Sequence, residues 1–172
     1  MSELSPVVID AIKVAIQMEI EGQKFYEEAT SKTDNELGKK MFEKLAQDEA
    51  VHQKTFQKMF DTITGSSEWK GLAERSPNIG KVPVFDGEVE KKGNVNQSDL
   101  DALRIGMESE RKSIEHYRKA AEATLDHLAV KILNTIKEEE EYHYDLLQAQ
   151  LDYLSKSGYW FDVAEYRMDG MY

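Results

Sequence analysis

The chain has 172 residues, 40% of them hydrophobic and 32% charged, proportions that suit a single globular domain able to bury a core. A formal net charge of −11 argues against a nucleic-acid partner, since it leaves little room for a basic patch. The absence of cysteine excludes disulfides, thiolate zinc sites, iron–sulfur clusters and cysteine nucleophiles.

Helical signals begin at once. Ser5 before Pro6 reads as an N-cap with proline in the first helical position. Val8, Ile12, Ala15, Gly22, Tyr26 and Ala29 then recur in steps of three and four, the seam of an amphipathic helix. Thr33 and Glu36 form a T-x-x-E capping box, which predicts the start of a second helix there. Its seam is Phe42, Leu45, His52, Phe56 and Met59, ending near Ile63. Residues 64–97 hold Gly65, Gly71, Pro77, Gly80, Pro83, Gly87 and Gly93 and sustain no helical period, as expected of a long crossover. Ser98 with Asp101 predicts a third helix reaching about Ala123, and Thr124 predicts a fourth running to Ser157 and Gly158. The tail, 159–172, carries Tyr159, Trp160, Phe161, Tyr166 and Tyr172 and is expected to pack on the bundle or on a partner subunit. Met1 to Pro6 lacks the basic and apolar regions of a signal peptide, and no apolar run is long enough to span a membrane. A cytoplasmic protein with no membrane partner is therefore expected.

Two helical hairpins joined by one long crossover define an all-α, ferritin-like four-helix bundle, here expected over residues 1–158. The second hairpin repeats the first. A shift of 91 places Ile12 on Leu103, Ala15 on Gly106, Tyr26 on Tyr117, Phe42 on Leu133, Leu45 on Ile136 and Phe56 on Leu147, without a gap.

The same shift carries Glu19 to Glu110, Glu49 to Glu140 and His52 to His143, all on the inward seams. Glu21 and Glu108 lie two residues off phase and are expected to face solvent. Four buried carboxylates without partners would cost several kcal/mol each, roughly, even after relaxation. No lysine or arginine occupies the seams at that level, whereas two divalent cations would balance four carboxylates, with imidazole nitrogens completing the coordination. Glu-x-x-His places both side chains on one helical face one turn apart, as in di-iron and di-manganese bundles. His116 lies beside the seam and His127 at the start of the fourth helix, about 20 Å along the axis from the acidic level, so neither is expected to be a ligand. Of the run Glu138 to Glu141, only Glu140 has the inward phase. Tyr26 and Tyr117, two turns beyond Glu19 and Glu110, are expected to be core residues whose hydroxyls bond to the ligand carboxylates.

With Glu19 and Tyr26, Glu49-x-x-His52, Glu110 and Tyr117, and Glu140-x-x-His143, the chain resembles the rubrerythrin branch of the ferritin-like superfamily. The resemblance implies a non-haem di-iron site that reacts with hydrogen peroxide or dioxygen. It implies Glu49 and Glu140 as bridging ligands, and Glu19, Glu110, His52 and His143 as terminal ones. Two departures stand out: the rubredoxin module with its four cysteines is missing, and Ser113 stands where rubrerythrins place an extra Glu. The expected function is therefore an oxidoreductase re-reduced by an external donor, a reductase or a rubredoxin-like protein. The alternatives are a ferroxidase or iron-handling protein, and a non-catalytic metal-binding or sensing bundle. Glu and His suit manganese as well as iron, and zinc can substitute. A homodimer is expected from the aromatic tail.

Overall fold

A computed structural model describes residues 6–67, 70 and 95–164, the side chains of 95–97 excepted. Four helices carry it: α1 (Pro6–Lys32), α2 (Glu36–Thr64), α3 (Val95–Glu122) and α4 (His127–Ser157). No strand occurs among the described residues. Helix α1 packs along α2 and α3 along α4, forming two hairpins; α1 also packs on α3, and α2 approaches α4 more sparsely.

The seams read from sequence are the buried faces. Val8, Ile12, Ala15, Tyr26 and Ala29 of α1 are buried, as are Phe42, Leu45, His52, Phe56 and Met59 of α2. They sort into two apolar clusters, one toward each end of the bundle. The first joins Val8 and Ile12 to Phe56, Phe60, Tyr117, Ala120, Leu133 and Ile136. The second joins Tyr26 and Ala29 to Phe42, Leu45, Leu103, Leu146 and Leu147. The start of α1 thus meets the end of α3, so these helices run antiparallel. The shift of 91 exchanges the clusters: Ile12 belongs to one and Leu103 to the other, Tyr26 to one and Tyr117 to the other. Between the clusters lies a layer of buried Glu19, Glu49, His52, Glu110, Glu140 and His143. Burying each large apolar side chain above and below this layer contributes about 1.5–3 kcal/mol, which works against the cost of bringing the acidic groups together.

Helix ends differ from the sequence reading in three places. The cap of α2 is Asn35, not Thr33: its Oδ1 accepts from the N–H of Leu37 at 2.9 Å and of Gly38 at 3.2 Å. Thr33 is itself buried, its hydroxyl accepting weakly from the Asn35 N–H at 3.4 Å. Helix α4 is capped by Asp126, which accepts from Ala129 N–H at 2.8 Å, while Thr124 accepts from Asp126 N–H at 3.1 Å. In both turns more than one oxygen-bearing residue is at hand, and the one adjacent to the helix reaches the free amides. Helix α3 starts three residues before Ser98, because neither glycine nor proline interrupts 95–97. Gly65 (φ 63°) and Gly158 (φ 75°) end α2 and α4 in the left-handed region, their N–H groups bonded to the Asp61 and Leu154 carbonyls. Ser5, the glycines and prolines of 71–93, and Tyr166 and Tyr172 of the tail lie outside the described residues.

Candidate metal centre

All six seam residues that the repeat singles out converge at mid-bundle. Ligand-type atoms of Glu19, Glu49, His52 and Glu140 lie within 4.8 Å of one another, and so do those of Glu49, Glu110, Glu140 and His143. Glu49 and Glu140 belong to both groups. The two imidazoles face one another across the layer, their centroids 5.7 Å apart and their planes 26° from parallel. Each histidine turns Nδ1 inward. Nδ1 of His52 is 2.8 Å from Glu140 Oε1, 3.4 Å from Glu19 Oε2 and 3.7 Å from Glu49 Oε2. Nδ1 of His143 is 3.2 Å from Glu140 Oε2 and 3.9 Å from Glu110 Oε1.

Of these inward contacts only that between His143 Nδ1 and Glu140 Oε2, at 3.2 Å, has hydrogen-bond geometry. Glu19 Oε2, His52 Nδ1 and Glu140 Oε1 are buried and lack a hydrogen-bond partner, although His52 and Glu140 stand at hydrogen-bond distance. Lone-pair atoms aimed at a common point, rather than along donor–acceptor lines, are the arrangement of ligands around a cation. Among the described residues, no lysine or arginine pairs with the four carboxylates, all at most 4% exposed. Carboxylate oxygen and imidazole nitrogen are a donor set suited to iron or manganese. The residues present therefore fit a pair of such ions.

Crowding sets the protonation of these groups in the protein alone. Burial, then the negative charge of Glu140 and Glu19, pushes Glu49 well above the usual carboxylate range. Burial and Glu140 push Glu110 up likewise, against the opposing bond from Tyr26. Burial works against the charged form of Glu140, but the close approach of Glu110, His143 and His52 outweighs it and holds this carboxyl low. His52 and His143 are raised: burial disfavours the imidazolium, and the carboxylates around each ring overcome it. A site that draws protons into itself in this way is one that a divalent cation can enter by displacing them.

The tyrosines complete the carboxylates crosswise. The Tyr26 hydroxyl donates to Glu110 and the Tyr117 hydroxyl to Glu19, each across the α1–α3 contact. Burial, then the neighbouring carboxylates, raises both phenols well above their ordinary value, so they remain donors. Gly22 gives Glu49 its space: a Cβ there would meet the Glu49 Cδ at 3.2 Å. Its partner under the repeat is Ser113, buried on α3 one turn past Glu110.

The other residues behave mostly as read. Nε2 of His116 bonds to the Ala11 carbonyl at 2.9 Å, His127 is exposed, and Glu108 is exposed and paired with Arg111. Glu21 departs in being half-buried, where it accepts from Gln17 at 2.9 Å. Two residues escaped the sequence reading. Glu139 accepts from Nε2 of His52 at 2.7 Å, and Asp48 accepts from Nε2 of His143 at 3.2 Å. Burial opposes the Asp48 carboxylate, but His143 and Lys44 hold it below its ordinary range. The signal was present: Asp48 and Glu139 are also related by the shift of 91.

A sequence model described as Rubrerythrin matches residues 10–151. Among solved structures, a hypothetical protein from Pyrococcus furiosus superposes with a TM-score of 0.68 at 22% sequence identity, covering 87% of this chain and 90% of that one. The second likeness concerns the fold. No curated protein matches the chain.

Proposed function

The chain belongs to the rubrerythrin family, and from this premise and the geometry of its acidic layer we propose a non-haem di-iron oxidoreductase that reduces hydrogen peroxide or dioxygen. The observation that carries the reading is the pair of overlapping ligand groups that share Glu49 and Glu140. In it Glu19, Glu49, His52 and Glu140 would hold one ion, and Glu49, Glu110, Glu140 and His143 would hold the other. Ferrous ions bound there would supply one electron each, so that hydrogen peroxide with two protons becomes two waters. Manganese shares the donor preference and is the second metal to test.

The chain's own residues set the conditions for that chemistry. Tyr26 holds one oxygen of Glu110 and Tyr117 one of Glu19, and the other oxygen of Glu19 faces His52 Nδ1 at 3.4 Å. Glu139 and Asp48 hold the histidines with Nδ1 inward and Nε2–H outward. The apolar clusters on both sides keep the layer dry, so carboxylates and imidazoles act on one another with little screening. An external donor is required to restore the reduced state, since no cysteine is present to hold a rubredoxin-type iron.

Stopped-flow absorbance after anaerobic Fe(II) loading tests the reading, with separate mixing against hydrogen peroxide and air-saturated buffer. Oxidation by peroxide faster than that of free Fe(II) is the expected result. Two equivalents bound but inert to both oxidants would overturn it in favour of a structural or sensing site. Oxidation by oxygen with continuing uptake beyond two equivalents would mark an iron-handling protein instead.

A further inference from the structure

Asp48 and Glu139 each stand one residue before a Glu-x-x-His motif, and each serves the histidine of the opposite hairpin. Around them the internal symmetry fails at one point. Lys44, one turn before Asp48, pairs with Asp48 Oδ2, the same oxygen that meets His143 Nε2. Its partner under the repeat is Thr135, which carries no charge. Glu139 Oε2 meets His52 and, among the described residues, no lysine or arginine.

A carboxylate behind a ligating imidazole orients the ring and raises its basicity toward a metal. A cation on the same oxygen withdraws part of that charge and adds a positive charge beyond the ring. Glu139 is the more exposed of the two acids, 53% against 24%, which weakens its long-range attraction. Its effect, however, passes through a direct 2.7 Å contact with a ring only 2% exposed, where solvent does not intervene.

Resting on the di-metal reading above, we propose that Lys44 makes the two metal positions unequal. By sharing Asp48 with His143, it leaves the position served by His143 the weaker and the position served by His52 the tighter. Asp48, Glu139 and Lys44 are positioning residues in this scheme; none touches a metal.

The test is calorimetric titration of the metal-free full chain with Co(II), paired with NMR detection of the paramagnetically shifted Nε2–H signals of the two histidines. Wild type is expected to take two equivalents with different affinities. Lys44→Gln, on a side chain 38% exposed, should tighten the weaker equivalent several-fold and leave the tighter one unchanged. Lys44→Arg should restore the wild-type difference. Asp48→Asn should weaken the same equivalent by about 10–100-fold and speed solvent exchange of one Nε2–H signal only. Two equivalents of equal affinity in wild type, or a Lys44→Gln variant that weakens or does not move the second equivalent, would overturn the proposal while leaving the di-metal reading intact. Failure of wild type to bind two Co(II) ions would overturn both.

Discussion

Glu19 is the most dependent residue of the layer. One of its oxygens takes the Tyr117 hydroxyl, and the other has no hydrogen-bond donor at all. In Tyr117→Phe the ring keeps its place in the apolar cluster, but the carboxylate loses its one donor in a setting that water does not reach. Leaving a buried polar group unsatisfied costs about 1–3 kcal/mol, and urea unfolding of the metal-free variant should show a loss of that size. Tyr153→Phe, at an exposed hydroxyl, should stay within about 0.5 kcal/mol of wild type. Equal stability of Tyr117→Phe and Tyr153→Phe would mean that the crosswise bond does not hold Glu19. The importance of these tyrosines was legible from their place two turns beyond each Glu. Which Glu each one serves was not, because that depends on α1 and α3 running antiparallel.

At the scale of the element, helix α2 packs closely against Trp160, beyond the end of α4. Trp160 packs edge-on against Phe42 with centroids 5.8 Å apart, and its indole N–H donates to Asp99 at 3.3 Å. Gly38 makes room for it: a Cβ there would lie 2.9 Å from Trp160 Cζ2 and 3.1 Å from Thr33 Oγ1. Gly38→Ala gains about 1 kcal/mol of helix propensity. Against this stands the displacement of a tryptophan that is 7% exposed, and the loss of a buried aromatic reaches about 3–5 kcal/mol. The variant should therefore be less stable than its parent, with tryptophan emission shifted to the red and the far-ultraviolet helical signal retained. Measuring it in a Trp69→Phe background assigns the shift to Trp160, and an unshifted spectrum would show that the tail adapts. The seams, the order of helices and the glycine stop at 158 could be read from periodicity and residue chemistry. The helix starts could not be placed to the residue, since Thr33 and Asn35, or Thr124 and Asp126, offer equivalent oxygens in sequence. Glu139 was hidden by its outward phase: a half-exposed residue meets a ring of the centre only because His52 arrives from the neighbouring hairpin.

For the whole molecule, the fold places an acidic layer between two apolar halves. That arrangement makes stability depend on pH in opposite senses with and without metal. Glu49 and Glu110 are raised above their ordinary 4.5, and His52 and His143 above 6.5, so the folded metal-free chain binds more protons than the unfolded one. Stability from a raised group is complete below its unfolded value and declines as pH climbs toward its folded value. The two acids thus act from 4.5 upward and the two histidines join from 6.5. Glu140, held low, has the reverse sign, but its loss falls on the acid side of 4.5. The metal-free protein should accordingly lose stability between about pH 5 and pH 8, read as a falling urea midpoint in the presence of a chelator. Divalent cations compete with those same protons, so at a fixed free Mn(II) concentration the midpoint should rise across the same interval. A metal-free midpoint that rises between these limits would show that the layer is not the acidic cluster drawn here. Parallel curves with and without Mn(II) would show that the cation binds somewhere else.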